Sequence, residues 1–261
     1  MRLFFVLWLG VALASCADLS ASQMLDPVSN DCALPTPSRV VLNERGLVLK
    51  IWTFAHRAVH KQRVLPDAPG YLAYRKRIRA AGADVRRPEL ILPPDLTPAS
   101  AAIWQTEIHN NAQIYSDKVG AIEPVDCLDA LLFAEQNARL AQFEVPTEFL
   151  ASVLRKEAAR ADEIVVVFGA GDSQFPPKSV YGFDIVDQYL ADGWRYWYLL
   201  HNHTLQRRGD TIALGVPAPS ASDLRFARSL AEQRGLQRVR VTNGFYTFDA
   251  GVDDLEALRE R

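Results

Sequence analysis

Apolar runs and polar breaks divide the chain into short segments. Trp194-Arg195-Tyr196-Trp197-Tyr198-Leu199-Leu200 follows Gly193 and leads into His201-Asn202-His203. Such an aromatic and aliphatic run predicts a buried strand. Glu163-Ile164-Val165-Val166-Val167-Phe168-Gly169 predicts a second buried strand by composition. Shorter strands are expected in pairs within 39–53, around Glu44-Arg45-Gly46, and singly at 143–145 and 180–186. Segments 239–242 and 245–248 flank Asn243-Gly244, a strong hairpin signal. Leu224, Phe226, Ala227, Leu230 and Ala231 recur at helical spacing behind Ser220, a good N-cap. Helices are also expected at 71–82, 99–115 and 127–140, a turn of helix at 187–192, and a frayed, charged helix at 252–261. Pro146 and Thr147 start one more predicted helix, carrying Phe149, Leu150, Val153, Leu154 and Ala158, and 160–162 ends it.

The N-terminus departs from this pattern. Arg2 precedes an apolar run from Leu3 to Leu13, too short for a comfortable membrane span, and the run ends in Leu13-Ala14-Ser15-Cys16. It resembles a bacterial lipoprotein signal, which implies cleavage before Cys16 and lipid on that residue. An ordinary secretory signal is the other reading. Ala17 stands where an inner-membrane retention signal would have Asp, so the expected location is the periplasmic face of the outer membrane. Residues 16–38 have the Ser, Asp and Pro content of a tether. Segment 39–140 reads as a mostly helical accessory region, and 141–261 as the catalytic region. Lys and Arg number 29 against 31 Asp and Glu; losing residues 1–15 removes one Arg, leaving 28 against 31, a net charge of −3. That balance opposes a nucleic-acid partner, and it leaves the lipid anchor as the expected membrane contact. Besides Cys16, only Cys32 and Cys127 remain; an even pair in an oxidising compartment predicts a disulfide.

The chemistry concentrates between His201 and Asp223. Side chains alternate along a strand, so His201 and His203 share a face and can reach one ion, while Asn202 turns away. Ser220 caps the next helix and Asp223 lies in its first turn. Two His and one Asp make a three-ligand set for zinc, with a fourth position left for water. This His-x-His followed by Ser-x-x-Asp resembles the JAMM (MPN-plus) metalloproteases; His-Asn-His, and Pro219-Ser220 before Asp223, also look like the RadC branch. The resemblance covers roughly residues 141–250. The spacer 204–219 is longer than the family's, which a surface loop tolerates. From Thr204 to Val216 it is expected to shape substrate access, with Arg207 and Arg208 in it.

The resemblance implies an α/β (α+β) fold, a mixed sheet flanked by helices as in JAMM proteins and cytidine deaminases. It implies Zn2+ on His201, His203 and Asp223, and Ser220 stabilising an oxyanion or simply capping its helix. It also implies a Glu base where a helix hands over to the first central strand. Glu163 is the expected base; Glu157 is the rival, and Asp162 would point to the opposite face. The expected activity is amide hydrolysis of a peptide or protein by a zinc-dependent peptidase or isopeptidase. A non-catalytic lipoprotein using the same domain to bind a partner is the alternative. Other motifs carry less. His56 and His60 have zincin spacing, but Arg57 stands where the base belongs, so two His on a polar helix face is expected. Gly169-Ala170-Gly171 lacks the third small residue of a dinucleotide loop. His201-Asn202-His203 lacks the longer framework of an HNH nuclease.

Overall fold

A computed structural model describes residues 27–42, 47–90, 92, 97–173, 181–208 and 211–260. The signal segment, Cys16 and the turn expected at Glu44-Arg45-Gly46 lie outside them. The fold is α+β: one mixed eight-stranded sheet, in the order β1-β2-β5-β4-β6-β9-β10-β3, carries helices on both faces. The strands are β1 (Arg39–Leu42), β2 (Val48–Ala55), β3 (Ala121–Pro124), β4 (Phe149–Lys156), β5 (Glu163–Ala170), β6 (Arg195–Asn202), β9 (Arg238–Thr242) and β10 (Tyr246–Gly251). A separate hairpin joins β7 (Gln206–Arg208) to β8 (Thr211–Ala213). The helices are α1 (Pro69–Ala80), α2 (Pro98–Tyr115), α3 (Cys127–Arg139), α4 (Phe183–Ala191) and α5 (Ala221–Arg234).

The central strands are buried on both faces, and their side chains alternate between two cores. From β4 and β5, Phe149, Ala151, Val153, Ile164, Val166 and Phe168 join α1 and α3. Leu150, Leu154, Val165 and Val167 join the core of α2, α4 and α5. Segment 149–156 is a strand, not the expected helix, because a strand covered on both sides loses the apolar–polar alternation that would reveal it. Its Leu, Ala, Arg and Lys favour a helix locally, yet eight-residue pairing with β5 overrides that preference.

Other expectations shift with it. Residues 39–140 are not a separate, mostly helical region: β1, β2 and β3 belong to the one sheet, and β2 pairs with β5 along its full length. Segment 143–145 forms a turn, and α4 begins at Phe183 where a strand was expected. The later part of the tether is packed. Val28 bridges Leu65, Cys32 is buried, and its sulfur is bonded to that of Cys127, with Cα atoms 5.6 Å apart. Among the described residues no helix is long and apolar enough to cross a membrane.

Candidate metal centre

β6 delivers the histidines. Leu199 lies in the core shared with α5 and Leu200 in the opposite core, so His201 and His203 face α5. β6 runs parallel to β9, with His201 opposite Val241, and the His203 N–H donates to the Thr242 carbonyl at 2.9 Å. From the other side, α5 opens on Ser220. The Ser220 hydroxyl accepts from the Asp223 N–H at 3.2 Å, and the Ser220 N–H donates to Asp223 Oδ2 at 2.8 Å. This reciprocal capping box fixes the Asp223 carboxylate in the first turn. The Ser220 hydroxyl also donates to Asp223 Oδ2 at 2.7 Å.

The three candidate ligand atoms meet. His201 Nε2 lies 3.3 Å from His203 Nε2 and 3.4 Å from Asp223 Oδ2, and His203 Nε2 lies 3.2 Å from the same oxygen. Zinc–ligand bonds of about 2.0–2.1 Å directed to the corners of a tetrahedron set ligand atoms about 3.3–3.4 Å apart. The triad is therefore the size of one tetrahedral face, and it can hold a metal ion. Its second sphere agrees. His203 Nδ1–H donates to the Val216 carbonyl at 2.8 Å, which directs Nε2 to the triad. That carbonyl arrives because residue 215 is glycine: a Cβ there would stand 2.5 Å from the His203 carbonyl oxygen. The Asn243 side chain holds the same segment by donating to the Gly215 carbonyl at 3.1 Å.

Electrostatics couple these groups. Burial depresses the His203 imidazole, but the Asp223 carboxylate outweighs it and lifts the pKa to about 9. Burial raises Asp223, yet His201 and His203 hold its carboxyl well below the usual range.

Glu163 is not at this centre. It pairs with Lys156 and Ala55, whereas His201 lies opposite Leu150, six positions away along β4. At about 3.3 Å per residue that is about 20 Å along the strand. Glu157 is also at that far end, where it accepts from Arg195 at 3.3 Å. The carboxylate that the fold brings to the triad is Glu148, the residue before β4. It is half-buried and borders the same cavity as His203 and Asp223. Burial pushes its pKa up against the pull of His203 and His201. Asn202, on the opposite face of β6, holds it there: its amide accepts from the Phe149 N–H at 2.7 Å and donates to the Thr147 carbonyl at 3.0 Å. The missed signal was a Glu directly ahead of the apolar run 149–154, hidden by the helical reading of that run.

The cavity of about 520 Å³ beside the triad is lined by Glu148, His203, Ser220 and Asp223, by α2, and by the spacer after His203. Thr204, Gln206, Leu214 and Val216 of that spacer face it. Arg207 and Arg208 lie in β7, with their side chains outside the described residues. Comparisons with protein-family models, with curated proteins and with solved structures find no match for this chain.

Proposed function

We propose that this chain is a zinc-dependent metallopeptidase or isopeptidase of JAMM type, held in the bacterial cell envelope by lipid on Cys16. The observation that carries the reading is the triangle of His201, His203 and Asp223 ligand atoms, at tetrahedral spacing, with the half-buried Glu148 bordering the same cavity. A zinc ion there would supply an acidified water and polarise a scissile carbonyl. The imidazoles present neutral nitrogens and Asp223 a carboxylate oxygen. Glu148 takes the role expected of Glu163, because it precedes the first central strand that reaches the histidines. It accepts a proton from the attacking water and delivers it to the leaving nitrogen. Its raised pKa, caused by burial, brings it closer to the neutral range where such a shuttle works. Ser220 positions Asp223 and offers its hydroxyl to the developing oxyanion.

The test is turnover of fluorogenic peptides by the zinc-loaded mature chain. Glu148→Gln keeps its zinc and loses about 10²–10⁴-fold in rate. Glu163→Gln, at the far end of β5, keeps both. Inactivity of the Glu163 variant beside a fully active Glu148 variant contradicts the assignment. Bound zinc with no turnover in the unsubstituted chain favours the binding-module alternative.

A further inference from the structure

Much of the cavity wall beside the triad comes from a part of the chain that the family resemblance does not reach. Ile103 and Trp104 of α2 line it, with Leu90 and Val216 completing an apolar surface. Ile103 is 59% exposed, and Trp104 is half-buried. Apolar surface of this kind, left to water at the mouth of a site, suits an apolar ligand group. The polar groups beyond the triad and Glu148 include two more carboxylates, Glu89 and Glu107. Among the described residues no Lys or Arg lines this cavity. Glu107 is fixed in place: its Oε1 accepts the Ala221 N–H at 2.9 Å, at the start of α5 and two residues from Asp223. At the α2 wall a cation meets the carboxylates of Glu89 and Glu107. An acidic group meets repulsion, and repulsion is an effective way to discriminate between substrates.

Resting on the hydrolase reading above, we infer that the substrate is a peptide carrying a basic side chain or free amine within one or two residues of the scissile amide, next to an apolar side chain. Glu107 and Glu89 take the cation, and Trp104 and Ile103 take the apolar neighbour. The N-terminal part of the chain thereby sets specificity for chemistry performed by the C-terminal part.

Two matched pools of fluorogenic octapeptides test this. They differ only in carrying Lys or Arg, against Glu, beside the central bond. The zinc-loaded mature chain is expected to cut the basic pool about tenfold faster, the worth of two partly exposed ion pairs. Glu107→Gln keeps the hydrogen bond to Ala221 and removes the charge; it narrows the ratio to about threefold, with zinc content and melting temperature unchanged. Fluorescence anisotropy of the same labelled peptides on Glu148→Gln reads binding without turnover. Equal cleavage of both pools overturns the inference and leaves the hydrolase reading standing. Preferential binding of basic peptides that weakens in Glu107→Gln, with neither pool cut by the unsubstituted chain, removes the hydrolase reading and overturns the inference that such a peptide is a substrate, leaving only its recognition. Absence of a preference in both assays overturns the inference.

Discussion

At one end of the central strands His201 and His203 meet Asp223 within 3.4 Å, with Glu148 bordering the same cavity. At the other end His56 and His60 lie with ring centres 5.7 Å apart, and Glu163 pairs in register with Ala55 beside them. Each end has two histidines with glutamate nearby, yet their surroundings are opposite. His56 packs edge-on against Trp197, and both of its ring nitrogens are buried without a hydrogen-bond partner among the described residues. His60 packs against Phe54, and its Nδ1 accepts the Arg57 N–H. Burial, the other imidazole and Arg57 lower His60 to about 4, whereas Asp223 lifts His203 to about 9. Proximity of two imidazoles is therefore not sufficient for a metal centre. A carboxylate at ligand distance separates the two sites, and among the described residues only the first has one.

The far end can be broken most strongly through its disulfide. Cys127 begins α3, where its N–H donates to the Gln62 carbonyl just after the turn that holds His60. Replacing both Cys32 and Cys127 by Ser opens a loop of sequence separation 95 and is expected to lower stability by about 4–5 kcal/mol in the chain-entropy picture. Urea denaturation of the oxidised chain against the double variant measures it, and metal affinity of the folded variant should not change.

Next in size is the acid response of His60. Above pH 6.5 its imidazole is neutral folded and unfolded. Between pH 6.5 and about 4 only the unfolded chain takes the proton, so stability falls as pH drops through that window. The loss approaches about 3 kcal/mol. Denaturation at pH 7 and at pH 4.5 should show a smaller difference in His60→Leu than in the parent.

The smallest expected change comes from Asn202, at the metal end. Asn202→Ala strands the Phe149 N–H and the Thr147 carbonyl, costing about 1–3 kcal/mol. Zinc should stay, because the ligands are untouched. Turnover should fall as Glu148 loses its anchor, whereas a merely structural Asn202 would lower the melting temperature and leave kcat unchanged.

The parts that were legible in the sequence carry local signals. The run 194–200 ends on His201 and His203, so the strand and its alternation were readable, and Ser220 with Asp223 formed a capping box within four residues. Asn243-Gly244 marked the turn between β9 and β10. Glu148 was illegible because β4, covered on both faces, reads locally as a helix; the resemblance then moved the expected base to Glu163, the next acid ahead of a strand. The place of β1, β2 and β3 was hidden for another reason. β1 follows β2 through their own short-range pairing, but β5, the other partner of β2, and β10, the partner of β3, are more than a hundred residues away, and pairing over that distance leaves no periodic trace.

In the proposed function one metal ion is held by His201, His203 and Asp223 and not by the histidines at the other end. Zinc titration of the chelator-stripped mature chain tests it directly, read by isothermal calorimetry and by elemental analysis after gel filtration. About one equivalent is expected in the parent and in the His56→Ala/His60→Ala double variant, with affinity lowered by more than about 100-fold in Asp223→Ala. Tight zinc in Asp223→Ala, or its loss in the His56/His60 variant alone, would contradict it.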